Sequence, residues 1–491
     1  MRFQTRYDLL LKHTKISLIT AVLSFAIGGC TQFSSSENLI QAKSISQYET
    51  DKSFSNTSNI SWTNENWWKV YGDAQLDALI EEALNNSPNM TMAIARLHKA
   101  DAFTQIANAS LMPQVNADAQ LSQQKQSYNY LTPKSMTPIG WNDYGQVNLN
   151  FSWEIDFWGK NRAAIAAAVS EVEASNAELA QTRLTLSSAI ATNYCELARL
   201  FDDEEKLKNS LAIQTKLLEL LTKRLNNGLE NNSAVSEAKS LQARIDGEIL
   251  VVQEQISLQR NKLAALLGAG PDRGLSISRP FININKTNFG LPENLAADLL
   301  GRRPDIIAAR LQVEAQLKRI EQKKAEFYPN VNLSAFIGVQ SLGINMLDNK
   351  GSYNGSVGPA ISLPIFTAGR LEGELRSTVS NYEETVANYN RAVTQALNEV
   401  ADAGQSQKAL TNQLLKCKEE LSNATEIYTI KTKRYEGGVG NYLDVLTAQK
   451  NLINIERNLI NLKSRAFTLD IALKHALGGG YNQTTIIAKG N

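Results

Sequence analysis

The sequence predicts a mixed α/β, membrane-inserted chain made of two similar halves, and three observations carry that prediction. Residues 145–271 and 355–481 repeat one design at a constant shift of 210 positions: Gly159-Lys160 falls on Gly369-Arg370, Thr222-Lys223-Arg224 on Thr432-Lys433-Arg434, Asn231 on Asn441, and Leu267-Gly268 on Leu477-Gly478. Residues 145–157 alternate strictly between apolar and polar side chains. From Lys160 to about Asn226 there is neither proline nor glycine. A duplicated unit joining long helices to amphipathic strands points to a conduit assembled from its halves rather than to an active site.

The N-terminus reads as a targeting segment. Arg2, Arg6, Lys12 and Lys15 precede an apolar run from Ile16 to Ile27, too short for an ordinary spanning helix. It closes on Gly28-Gly29-Cys30, and small residues before a cysteine suit a narrow cleavage site. This resembles a bacterial lipobox, with residues 1–29 removed and Cys30 lipidated; a plain secretory signal with an incidental cysteine is the alternative. Thr31 stands where, by the same resemblance, an aspartate would favour the inner membrane. Residues 30–62 open with a stretch rich in Ser, Asn, Gln and Thr and read as a tether.

The first repeat, 63–270, begins at Trp67-Trp68. A helical stretch covers Leu76–Leu84, and Pro88 opens another to about Leu111. Val115, Ala117, Ala119 and Leu121 then alternate with polar residues. In the following strand Val147, Leu149, Phe151, Trp153, Ile155 and Phe157 are apolar, between Gln146, Asn148, Asn150, Ser152, Glu154 and Asp156. Period two means one face against an apolar medium and one against water. Two further strands follow in the second copy, at Val331–Val339 and Val357–Ile365, the last weakened by Pro359 and Pro364. Strands of about 9–11 residues suit a membrane barrel, but four cannot close one, since the smallest type needs about eight. The chain must therefore oligomerise, and a trimer supplies twelve strands.

The helices set the dimensions. Leu207, Leu211, Leu218, Leu221 and Leu225 recur at packed-helix spacing, and a helix from Lys160 to Asn226 would run about 100 Å. After Asn226-Asn227-Gly228 the chain returns from about Ser233 to Leu267; the second copy runs from about Arg370 to Tyr435, turns at Gly437–Gly440, and returns from about Asn441 to Leu477. Each return is half as long as its partner, so the helix ending near Leu111 is expected to stack end to end with the first return. Residues 271–291 read as a linker with a short strand near Leu275–Ile277, 292–480 as the second repeat, and 481–491 as a tail.

Without the leader the chain carries 46 basic and 48 acidic residues, a balance that implies no nucleic-acid partner. Cys195 and Cys417 map onto positions 12 residues apart in the repeat, roughly 18 Å along parallel helices and beyond disulfide reach; both read as buried small hydrophobes. Three histidines, His13, His98 and His475, and no zinc spacing, P-loop or nucleophile elbow argue against an enzyme, a metal site or a cofactor other than the lipid on Cys30.

Four segments carry a family resemblance: Trp67-Trp68 with Leu76-Asp77-Ala78-Leu79-Ile80; Trp153 through Lys160; Gly301-Arg302-Arg303-Pro304-Asp305, continued to Tyr328-Pro329-Asn330; and Arg434-Tyr435-Glu436-Gly437-Gly438 with Asn441 through Leu446. On these the chain resembles lipoprotein members of the outer membrane factor family, the TolC-like exit ducts of tripartite efflux systems. The resemblance implies a mixed α/β membrane duct. It would be a homotrimer with a twelve-stranded transmembrane barrel, four strands per chain, continuous with a periplasmic α-helical barrel in the bacterial outer membrane. It also implies a periplasmic adaptor, a proton-driven inner-membrane pump, and small toxic compounds as cargo. A protein-secretion duct of the same architecture and a periplasmic coiled-coil scaffold are the rival readings.

By the same resemblance, acids near the second hairpin constrict the periplasmic mouth. Asp444 stands at one such position and Thr447 at the other, with Leu443 beside them as an apolar constriction. Three Asp444 carboxylates on a threefold axis would repel one another and attract cations; capping of the helix at Asn441 is the local alternative. Gly228 with Leu229, and Gly438 with Val439, mark the turns expected to dock the adaptor. Arg302, Arg303 and Asp305 are read as structural, and Trp141, Tyr144, Trp153 and Trp158 as membrane-boundary or packing residues.

Overall fold

The structure is a computed structural model that describes residues 39–50, 52–54, 62–130, 133–281 and 295–482. The leader, Cys30, most of the tether, residues 282–291 of the linker and residues 483–491 of the tail lie outside the described residues.

A 3-10 turn at Trp67–Tyr71 leads into α1 (Ala74–Asn86), whose first amides at Gln75 and Leu76 are capped by the Asp73 carboxylate. Ser87 caps α2 (Pro88–Ala109), with proline in its first turn, where a missing N–H costs nothing. Strands β1 (Gln114–Gln124) and β2 (Asn142–Ile155) precede α3 (Lys160–Asn226), a single helix of 67 residues. The return helix α4 (Asn232–Leu266) has 35 residues. A one-turn helix α5 (Asp272–Leu275) then stands where a strand was expected near Leu275–Ile277. That expectation fails because Pro271 and Gly274 favour a tight turn, with Gly274 held against the Arg260 carbonyl, where a Cβ would lie 2.7 Å away.

The second copy reproduces the element lengths. After α6 (Leu295–Arg302) come α7 (Pro304–Ala325), 22 residues like α2, then β3 (Asn330–Leu342) and β4 (Tyr353–Ser362). Helices α8 (Arg370–Glu436) and α9 (Tyr442–Ala476) again have 67 and 35 residues. Strand β4 stops before Leu363 and Ile365, which were expected to continue it; Pro364 has no amide hydrogen to extend the ladder.

The helices pack side by side. Along α3 lie α2 and α4 on one flank and α7 and α9 on the other, and α8 closes the far side of α7 and α9. The short helices do stack end to end. A Cβ on Gly268, just past α4, would sit 2.8 Å from Pro88 at the start of α2. Its repeat mate Gly478, just past α9, presses against the backbone of Arg302 and Arg303 at the start of α7. Both glycines have positive φ, so they satisfy the backbone bend and the close approach together.

The main core binds the N-terminal elements to this helical layer. Trp67, Trp68, Tyr71, Leu76 and Ile80 are buried against Leu184, Ile190 and Tyr194 of α3 and Phe467 and Ile471 of α9; a side chain such as Phe467 contributes about 1.5–3 kcal/mol by leaving water. The Tyr71 hydroxyl in this core donates to Asp470 at 2.7 Å, and Lys474 bonds the same carboxylate at 2.7 Å, whereas the buried Trp68 indole N–H has no partner. Residues 43–50 and 52–54 lie as a strap on α8, the Lys43 amide donating to the Asn390 side chain and Tyr48 and Phe54 packing near Tyr389, Val393 and Leu397.

Candidate functional site

The four strands form one antiparallel sheet in the order β1-β2-β3-β4. Its register lines up the alternation found in the sequence. Ala117 faces Leu149, Leu149 faces Ile337, Phe151 faces Ala335 and Ala335 faces Val357, so the apolar residues share one face. Gln146 with Gln340, Ser152 with Ser334 and Glu154 with Asn332 share the other, where Phe336, Leu342 and Ala360 are apolar exceptions. On the apolar face Leu149, Ile337 and Val357 are exposed. Among the described residues no helix is long and apolar enough to cross a membrane. Trp153 and Trp158 are tied to the strand–helix junction, donating to the carbonyls of Leu111 (2.9 Å) and Pro329 (2.8 Å), whereas Trp141 stands exposed.

At the opposite end of the long helices the two hairpin turns are built alike. The Leu229 amide reaches back to the Arg224 carbonyl and the Val439 amide to the Arg434 carbonyl, while Gly228 and Gly438 bond Leu225 and Tyr435. These are paired Schellman closures, with both glycines at positive φ, which an L side chain would strain. In such a closure the residue after the glycine commonly packs on the helix. Here its expected contact position is an arginine in both copies, and Leu229 (66% exposed) and Val439 (72%) project into solvent.

Asn441 caps α9 by accepting from the Leu443 amide at 3.0 Å, as Asn231 caps α4 through Ala234 at 2.9 Å. Leu443 is exposed, and the Thr447 hydroxyl is turned back onto the Leu443 carbonyl at 2.8 Å. The Asp444 carboxylate pairs with Lys431 of α8 at 3.0 Å, with half its side chain open to solvent. Leu443, Asp444 and Thr447 therefore share one turn, as their spacing requires, and Lys431 is a partner that sequence reading missed.

The tips are also cross-linked. Tyr435 packs at 5.9 Å from Tyr442, lies under the Arg224 guanidinium at 4.8 Å, and donates its hydroxyl to Glu230 of the first hairpin at 3.1 Å. Burial, reinforced by Glu230, pushes the Tyr435 hydroxyl up to about 12, so it remains a donor at neutral pH. Gln214 donates to the Ala238 carbonyl and to Tyr442. The only sequence signal for this cluster was the pair of tyrosines flanking Gly437–Gly440.

Farther up, Arg303 proves to be a three-way clamp. It bonds Asp305 through two nitrogens at 2.6 and 3.0 Å, Glu399 of α8 at 2.7 Å and the terminal α9 carbonyl of Ala476 at 3.2 Å. Arg302 stacks on Trp62 at 4.6 Å. Cys195 and Cys417 are free and buried, and burial raises the Cys195 thiol to about 11, keeping it inert. Among the described residues no group of three or more candidate ligands could hold a metal ion.

Comparison with known proteins agrees with this geometry. Residues 79–269 and 295–479 match the family described as outer membrane efflux protein. The chain is 29% identical over 435 residues to the multidrug resistance outer membrane protein MdtP of Escherichia coli, covering 87% of this chain and 89% of that protein. It is 30% identical over 421 residues to the pyoverdine export outer membrane protein OpmQ of Pseudomonas aeruginosa, covering 84% and 87%. Among solved structures, the outer membrane protein VceC of Vibrio cholerae superimposes with a TM-score of 0.80 at 47% identity, over 86% of this chain and all of that one.

Proposed function

The chain belongs to the outer membrane efflux protein family, and from that premise we propose that three copies close one passive exit duct across the bacterial outer membrane and the space beneath it. The carrying observation is the continuity of a sheet apolar on one face and polar on the other with helices of 67 residues, about 100 Å long. Twelve strands would make the barrel, its polar face lining water. The free flanks of α4 and α8 would meet neighbouring copies and close the helical tube.

In this reading Cys30 carries the lipid, including palmitate, and anchors each copy in the outer membrane. The turns at Gly228-Leu229 and Gly438-Val439 dock a periplasmic adaptor that couples the duct to a proton-driven inner-membrane pump. No other cofactor takes part, and the duct does no chemistry of its own. The names of the relatives, multidrug resistance and pyoverdine export, support small molecules as cargo.

Leu443, Asp444 and Thr447 form the resting gate. Lys431 then holds each Asp444 in place and offsets part of the repulsion among three carboxylates. Single-channel conductance of the purified protein in planar bilayers tests both levels. A small, cation-selective conductance that rises in Asp444→Ala supports duct and gate together. Conductance unchanged by the substitution returns Asp444 to a capping role. Trimeric, inserted protein that conducts in neither form removes the duct reading.

A further inference from the structure

A cavity of about 550 Å³ opens between α3, α8 and α9, level with the Arg303 clamp. Thr185, Ser188, Ala189 and Thr192 line it from α3, Glu399, Asp402 and Ala403 from α8, and Leu469, Ala472 and His475 from α9. The face it occupies follows from what covers the other side. The N-terminal core packs on α3 through Leu184, Ile190 and Tyr194 and on α9 through Phe467 and Asp470. The strap covers α8 at Asn390, Thr394 and Leu397. At 100° per residue these positions lie on the far side of each helix from the cavity. Bulky elements must stay outside a duct, so the cavity looks into the lumen, a placement that rests on the duct reading. This chain's own helices bound it on both flanks, so a neighbouring copy would not fill it.

Its chemistry is selective. Asp305, Glu399 and Asp402 set three carboxylates against the single guanidinium of Arg303, and Asp402 is exposed without a hydrogen bond or ion pair among the described residues. Burial and the nearby Arg303 lower the His475 pKa, so at neutral pH the imidazole is uncharged. Ser188 is 8% exposed and its hydroxyl has no partner, an uncommon state for a buried polar atom. The remaining lining mixes Ala189, Ala403, Leu469, Ile471 and Ala472 with the hydroxyls of threonine and serine and the Asn193 amide. A bare metal ion would find no cluster of three candidate ligands here, and an anion would meet net negative charge.

We propose that this cavity is a luminal way-station for amphipathic organic cations, seating the charge near Asp402 and Glu399 and the apolar body against Ala189, Ala403, Leu469 and Ala472. Its volume matches drug-sized ligands, and three copies would ring the duct.

The test is titration of the detergent-purified full chain with tetraphenylphosphonium, with tetraphenylborate as a probe of the same shape and opposite charge. Saturable binding of the cation at one site per chain is expected, with none of the anion. Asp402→Asn preserves shape at an exposed position and should weaken binding about five- to tenfold. Ala472→Phe, also at an exposed position, should fill the cavity and abolish binding while potassium conductance persists. Equal uptake by wild type and both variants would mean partition into detergent and would overturn the proposal, even in protein that conducts. Loss of conductance in every form would instead remove the duct reading, while the titration still reports on the cavity.

Discussion

Arg303 is 2% exposed and still carries its charge, because Asp305, Glu399 and the Ala476 carbonyl replace the water it loses. Burial alone would lower its pKa, and the two carboxylates more than reverse that effect. Arg303→Ala should therefore destabilise the protein by about 3–5 kcal/mol, the usual cost of stranding a buried partner, read as a lowered unfolding temperature in detergent. Arg303→Lys should recover only part of this, since an ammonium cannot span Asp305 and Glu399 as a planar fork does. The sequence made Pro304 and Asp305 legible as a helix start. It could not reveal Glu399, 96 residues away, because nothing local records which turn of α8 lies opposite.

At the scale of elements, the repeat predicts its own geometry well. The two long helices, two returns and two short helices have equal lengths in both copies, and both junctions between a return and a short helix close on a glycine. The hairpin tips repeat the same closure, yet both leave a large apolar residue in solvent. Replacing Leu229 and Val439 together by Asp should leave stability within about 0.5 kcal/mol of wild type, as for surface positions without buried partners, and should abolish capture of the purified cognate adaptor. Undiminished capture would move the docking surface elsewhere. The departures from expectation, at Leu275–Ile277 and at the end of β4, lie where proline and glycine override a short apolar run. Such runs carry too few residues for their period to decide.

For the whole molecule, the sheet's two faces make a contrast that can be measured. Ile337 lies mid-strand on the apolar face and Ser334 on the polar one. Ile337→Arg should cost about 2–4 kcal/mol of membrane-inserted stability, while Ser334→Arg, facing water, should leave insertion intact and shift ion selectivity toward anions. Refolding into vesicles with a gel-shift readout distinguishes the two, and equal tolerance of both would contradict the assignment of faces.

Patterns that repeat along one strand or one helix were determined by the sequence alone: strand faces, helix lengths, capping residues, turn glycines and the duplication itself. Each depends on neighbours a few positions away, or on a second copy that can be read in the same line of text. The tertiary structure decided which turns of different helices meet. That set the Arg303 clamp, the Lys431 partner of Asp444, the Tyr435–Glu230 link and the cavity beside Asp402. These depend on helix rotation and axial offset, which shift side chains by several ångströms per residue and leave no periodic trace in the chain.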